Sequence, residues 1–229
     1  MKGCLITFEG AEGSGKSTQI RFAVNLLKKR GYRVVFFREP GGTKTSEAVR
    51  RVLLDKRLKE MNPGTELLLY LAARAQLVRE KIEPALKAGK VVVLDRYEDS
   101  TLAYQGFGGG ISLGLIRNLS RFARGNSKPN LTFLLDVDTK KGLRRSGRRD
   151  RVEKKSISFH QKVRRGFLTL ARREPGRFVV LSARHSIEQV KKQIENKLGK
   201  VLPSLRPAKV LWRGSNLGIA SSPRRGSPQ

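Results

Sequence analysis

FEGAEGSGKS, residues 8–17, follows the apolar run CLITF and precedes a segment with helical spacing. Gly10, Gly15, Lys16 and Ser17 fit G-x-x-x-x-G-K-[ST], a pattern that carries meaning when a strand leads in and a helix leads out, as both do here. Glycines let the backbone curl until its N–H groups converge on phosphates, and the helix N-terminus adds partial positive charge. Lys16 is then placed to reach the β and γ oxygens of a nucleoside triphosphate, and Ser17 to ligate Mg²⁺. The stretch reads as a P-loop. Its expected ATP contacts are Gly10, Ala11, Glu12, Gly13, Ser14, Gly15, Lys16, Ser17 and Thr18.

Outward from the loop, Ser17 to Arg30 puts Ile20, Ala23, Val24 and Leu27 on one helical face, with Gly31 at the C-cap. The apolar runs RVVFF, VVVLD, LTFLLD and RFVVL recur between longer helical stretches, which predicts a parallel sheet covered on both faces. A long helix is expected over 65–87, bent near its end by Pro84, and others over Ser112–Arg124, Ser158–Arg173 and Ser186–Leu198. The fold class is α/β: a P-loop NTPase-type, doubly wound, five-stranded parallel sheet with a lid segment.

The 229 residues suit one substantial domain, assigned to 1–202. Beyond Pro203 the composition turns to Pro, Gly, Ser and basic residues without a period, and 203–229 reads as a disordered tail. With 49 Lys+Arg against 19 Asp+Glu, the formal charge of +30 favours anionic partners such as phosphate ligands, nucleic acid or acidic surfaces. Aromatics make up 7% and do not interleave with the basic residues, so no base-stacking surface emerges and nucleic-acid contact is not predicted. The lone cysteine, Cys4, excludes an intramolecular disulfide and a thiolate metal cluster, and fits a reducing cytoplasm. No apolar run approaches the length of a membrane span, so a soluble, cytoplasmic protein without membrane contact is expected.

A P-loop leaves the reaction open. FFREPGGT places Arg38, Glu39 and Gly41–Gly42 at the carboxyl end of the second strand, where open α/β sheets bind ligands. VVVLDRYEDSTLAYQG ends the third strand with Asp95 and Arg96, and a carboxylate there can hold Mg²⁺.

Taken together, FEGAEGSGKST, REPGGT with SEAVRRVLL behind it, ELLLYLAARAQLV, DRYEDSTLAYQG, LTFLLDVD, DRVE and FHQKVRRGFLTLA resemble the thymidylate kinase family in order and spacing, from about Leu5 to Leu198. The resemblance implies phosphoryl transfer from ATP to dTMP with Mg²⁺, in dTTP biosynthesis, by a homodimer. It implies that Arg38, Arg74 and Arg96 grip the acceptor monophosphate, that Tyr70 stacks on thymine, and that Glu12 meets the deoxyribose 3′-hydroxyl. Tyr104 and Gln105 would shape the sugar and base pocket, with Glu39 and Ser100 among the substrate contacts. Residues 140–173 hold 14 of the 49 basic residues, and the segment about 140–155 resembles the family's lid. Glu12, in a P-loop without arginine, resembles the branch whose catalytic arginine lies in the lid; Arg144, Arg145, Arg148, Arg149 and Arg151 are the candidates, with Arg148, Arg149 and Arg151 favoured, beside Lys16 and Arg96. The run Gly108–Gly110 departs from the family, which often has an arginine there. The rival readings are a kinase for another nucleoside monophosphate and a P-loop ATPase that binds nucleic acid.

Overall fold

Runs of Val, Ile, Leu and Phe too short for helices become the strands of the computed structural model, which describes residues 3–147 and 150–201. They are β1 Cys4–Glu9, β2 Val34–Arg38, β3 Val91–Asp95, β4 Leu131–Asp136 and β5 Phe178–Ser182. The five strands are all parallel, in the order β2-β3-β1-β4-β5. β1, β3 and β4 are buried almost throughout because both faces are covered, which is why their sequences run apolar instead of alternating. Edge strands β2 and β5 expose Phe36 and Val180.

The chain leaves central β1 for one side of the sheet and crosses to the other after β3, so a crevice opens at the carboxyl ends of the middle strands. Register brings those ends level: Asp95 pairs with Phe8 on one side and with Arg38 on the other.

The helix after the P-loop is α1, Lys16–Lys29, which packs Ile20, Ala23 and Leu27 onto the sheet. Next comes α2, Lys44–Leu54, an element that the turn-like REPGGT stretch hides; Thr43 caps it, its Oγ1 accepting from the Ser46 N–H at 3.0 Å. The expected long helix divides into α3 Pro63–Leu77, a π-helical turn Val78–Ile82 and α4 Glu83–Lys87. Pro84 cannot donate to the Glu80 carbonyl four residues back and its ring crowds that position, so the ladder widens in the π-helical turn ahead of it.

A short helix α5, Glu98–Thr101, runs into a π-helical segment Leu102–Gly108. Then follow α6 Leu113–Arg124, α7 Thr139–Ser146, α8 Ile157–Arg173 and α9 Ile187–Val201. One core joins α1 and α9 to the sheet through Ile20, Leu27, Phe8, Phe133, Ile194 and Leu198. Another joins α3, α6 and α8 around Leu71, Ile116, Val163 and Phe167. Arg148, Arg149 and the 203–229 tail lie outside the described residues.

Candidate active site

The loop that leaves β1 reaches α1 through glycines in left-handed or related conformations, among them Gly13 at φ 64° and Gly15 at φ 91°. Gly15 is the N-cap of α1 and contributes no side-chain acceptor, so the first helical N–H groups are left for an anion. Lys16 Nζ donates to the carbonyls of Gly10 at 2.9 Å and Ala11 at 3.3 Å. Burial, aided by the Arg96 charge, lowers the Lys16 amine to about 8. Ser17 and Thr18 are exposed on the first turn. The tip of the loop is seated on α7: Gly13 and Gly142 meet so closely that a Cβ on either would collide with the other segment's backbone.

Glu12 turns its side chain away from these phosphate-facing groups, into a cleft of about 190 Å³ that Arg50, Tyr70, Arg74, Arg96 and Gln105 also line. Its Oε1 accepts from the Tyr104 hydroxyl and from Arg96 Nη2, the latter at 3.2 Å. Burial alone would raise the Glu12 carboxyl, but His160, Arg96, Tyr104 and Lys16 outweigh it and hold the group well below the usual carboxylate range. Glu12 is therefore an anion offering only acceptors to the cleft.

Arg96 has a φ of 68°, a conformation that costs a non-glycine residue about 1–3 kcal/mol unless the surroundings impose it. They do. Its N–H donates to the Phe8 carbonyl at 3.0 Å, and the next N–H, of Tyr97, donates to Glu9 Oε1 at 2.8 Å. Glu9 Oε2 accepts from Ser100 Oγ at 2.6 Å, and Arg96 Nη1 donates to the same hydroxyl at 3.2 Å. Complete burial and the nearby Asp99 charge push the Glu9 carboxyl up. Sequence reading overlooked Glu9, whose one signal is a carboxylate ending a central strand.

Across the cleft, Arg74 Nε and Nη2 donate to Glu39 Oε2 at 2.9 and 2.8 Å, and Nη2 also to Thr101 Oγ1 at 2.8 Å. This pair is 1% and 5% exposed, yet Arg74 Nη1 and Glu39 Oε1 have no hydrogen-bond partner among the described residues. Tyr70 is half-buried in the lining. Arg38 is exposed and directed at Glu47, 3.2 Å away, and does not line the cleft; Arg50, which lies in SEAVRRVLL without an assigned role, does. Asp95 lies within electrostatic reach of Lys16, and its Oδ1 is buried without a hydrogen-bond partner among the described residues.

Arg151 stands elsewhere than expected of a group aimed at the transferred phosphate. Its Nε donates to the Leu53 carbonyl at 3.1 Å and its Nη2 to Glu66 Oε2 at 2.5 Å, which holds the guanidinium to α2 and α3. Glu66 also accepts from Lys155 and from Gln105, the latter at 2.8 Å, which ties the end of the lid segment to the wall of the cleft. Glu66 was legible only as a charge inside an apolar helix.

A second cleft, of about 290 Å³, lies against the P-loop and is lined by Gly13, Ser14, Gly15, Thr18, Arg145 and His185 together with the ends of β4 and β5. Arg145 is its lid-derived cation. Among the described residues no cluster of three or more His, Cys, Asp or Glu could hold a metal by itself, and no helix is long and apolar enough to cross a membrane.

Residues 8–194 match the family model described as thymidylate kinase. The chain is 43% identical over 204 residues to a thymidylate kinase of Thermoanaerobacter sp. (strain X514), covering 88% of this chain and 100% of that one. It is 48% identical over 195 residues to the thymidylate kinase of Geobacter sulfurreducens, covering 81% and 92%. Among solved structures it is similar to the thymidylate kinase from Ehrlichia chaffeensis, with a TM-score of 0.71, 34% identity, and coverage of 86% of this chain and 99% of that one.

Proposed function

The chain belongs to the thymidylate kinase family and transfers a phosphoryl group from ATP to dTMP, giving ADP and dTDP for dTTP synthesis; on that premise we propose how its residues share the work. The observation that carries the proposal is a single P-loop with one cleft on each side, its backbone turned to one and the Glu12 side chain to the other. ATP takes the side of Gly13–Thr18, and dTMP the side of Glu12, Tyr70 and Arg74.

A dTMP phosphate oxygen is already anionic near neutral pH, so the reaction demands alignment and charge compensation more than a strong base. Lys16 serves the donor phosphates, leaving the Gly10 and Ala11 carbonyls to do so. Arg96, fixed by Glu9 and Ser100, faces the acceptor phosphate with Arg74; Arg50 joins them from α2, and Arg38 does so by exchanging Glu47 for phosphate. Tyr70 supports thymine, Gln105 bounds the base, and Tyr104 with Glu12 meets the sugar. Arg148 and Arg149 are proposed for the transferred group, while Arg151 acts as the anchor of the lid.

The donor set fits Mg²⁺ bound chiefly through phosphate: Ser17 and Asp95, with its partnerless Oδ1, would hold an ion that neutralises charge on the ATP oxygens. A homodimer is proposed by analogy with the family. Leu68 of α3 with Leu115 and Phe122 of α6, the last 89% exposed, supply apolar surface on two helices that pack together. The lone cysteine supports a cytoplasmic setting.

Coupled ADP-release measurements with dTMP, dUMP, dCMP and UMP test the assignment. The highest kcat/KM is expected with dTMP. A better rate with dCMP or UMP would overturn the base assignment, and indifference to every monophosphate would overturn the kinase itself.

A further inference from the structure

Glu12 is gripped from one more side than the sequence reveals. His160, on α8, is 1% exposed, and its Nδ1 stands 3.3 Å from Glu12 Oε2. Neither ring nitrogen has an aligned hydrogen bond among the described residues, nor does Glu12 Oε2. A histidine buried on the stripe that continues through Val163, Phe167 and Leu170 is costly without a polar neighbour, and the neighbour it faces is this carboxylate. Because an ionised carboxylate can only accept, the ring nitrogen turned towards it carries the hydrogen.

The support behind the imidazole is stiff. The Phe159 ring packs edge-on to His160 at 5.3 Å and against Tyr104 at 6.3 Å. Gly108 lies against Phe159 and Val163, and Gly166 against Phe107, so α8 and the 102–108 segment hold His160 and Tyr104 as one unit. That unit addresses both carboxylate oxygens: Tyr104 donates to Oε1, and His160 confronts Oε2. A carboxylate offers about four lone-pair sites; Tyr104 and Arg96 take the two on Oε1, and His160 stands opposite Oε2.

We propose that His160 is a positioning residue that sets sugar specificity, turning Glu12 so that its remaining acceptor faces the 3′-hydroxyl of the bound nucleotide. This rests on Glu12 being the partner of that hydroxyl. His160 itself touches no substrate; its effect passes through Glu12, and it selects for an acceptor nucleotide whose sugar carries a free 3′ donor.

The test compares dTMP with 3′-deoxy-dTMP on His160→Phe, His160→Asn and Glu12→Leu, each checked for native melting. His160→Phe keeps the packing and removes both nitrogens; it should raise KM for dTMP about tenfold, leave kcat near the parent value and change KM for the 3′-deoxy nucleotide less than about twofold. His160→Asn, which restores a donor near the Nδ1 position, should recover most of the preference. Equal losses on both nucleotides would assign His160 a purely structural role, and an unchanged preference in His160→Phe while Glu12→Leu abolishes it would overturn the proposal alone. A preference that survives Glu12→Leu, which leaves no polar atom there, would overturn the underlying reading of Glu12, and the role of His160 with it. If His160→Phe does not fold, His160→Met serves as the apolar replacement.

Discussion

The guanidinium of Arg151 closes on the carboxylate of Glu66 at 2.5 Å, with side chains only 8% and 4% exposed, and so binds the end of the lid segment to α3. Removing one partner of such a pair leaves a buried charge and costs about 3–5 kcal/mol, whereas removing both costs less. Arg151→Ala, Glu66→Ala and the double variant should therefore show a coupling of at least about 1 kcal/mol in urea denaturation. Additive losses would mean that Arg151 is free of Glu66 and available to the phosphates.

Lys16→Ala should remove nearly all phosphoryl transfer from a protein that still melts normally, since it deletes the charge assigned to the donor phosphates. The acid form does the work, and burial lowers the amine to about 8, so kcat/KM for ATP should fall as pH rises through about 8. In Lys16→Arg that limb should disappear, because guanidinium stays charged. A flat profile in the parent enzyme between pH 7 and 9 would contradict the assignment.

Glu9 imposes the left-handed conformation of Arg96 through Tyr97 and Ser100. Glu9→Ala should release that turn and lower kcat/KM for dTMP by roughly tenfold or more. The folded protein holds the Glu9 proton more tightly than the unfolded chain does, so the carboxyl's contribution is complete below the ordinary 4.5 and is lost as pH rises through the raised value. Glu9→Gln does not titrate; its stability relative to the parent should therefore climb between pH 4.5 and neutrality, as read by melting temperature across that range.

Glu39→Ala should strand the Arg74 guanidinium in a sealed wall and destabilise the protein by about 3–5 kcal/mol, measured by chemical denaturation. Arg74→Met, which removes the charge along with its need for a partner, should cost less in stability while still impairing dTMP binding. If the two variants lose stability equally, the stranded charge is not what weakens Glu39→Ala.

The strands were readable because sheets covered on both faces demand uninterrupted apolar runs, and Val91–Leu94 or Leu131–Leu135 admit little else. The P-loop was readable because its chemistry is local, every participant lying between Gly10 and Thr18. By contrast, α2 begins in a Gly-Gly-Thr stretch whose local signal is a turn, and its helical character depends on the Thr43 cap and on packing against α3. The partners Arg151 and Glu66 are 85 residues apart, and Arg96 meets Glu12 across 84. Neither periodicity nor composition encodes such separations. His160 looks, in sequence, like one polar residue on an apolar stripe, and only the fold supplies the carboxylate opposite it.

The seat of Gly13 on Gly142 has a consequence for recombining this enzyme with its relatives. A crossover placed at the apparent module boundary before α7 would separate two backbones that fit only because neither carries a side chain. Lids imported with alanine or serine at the matching position would prise the phosphate loop out of register, however well their arginines were chosen. Functional chimeras should therefore inherit the loop and the first turn of α7 from the same parent, although more than a hundred residues of sequence lie between them.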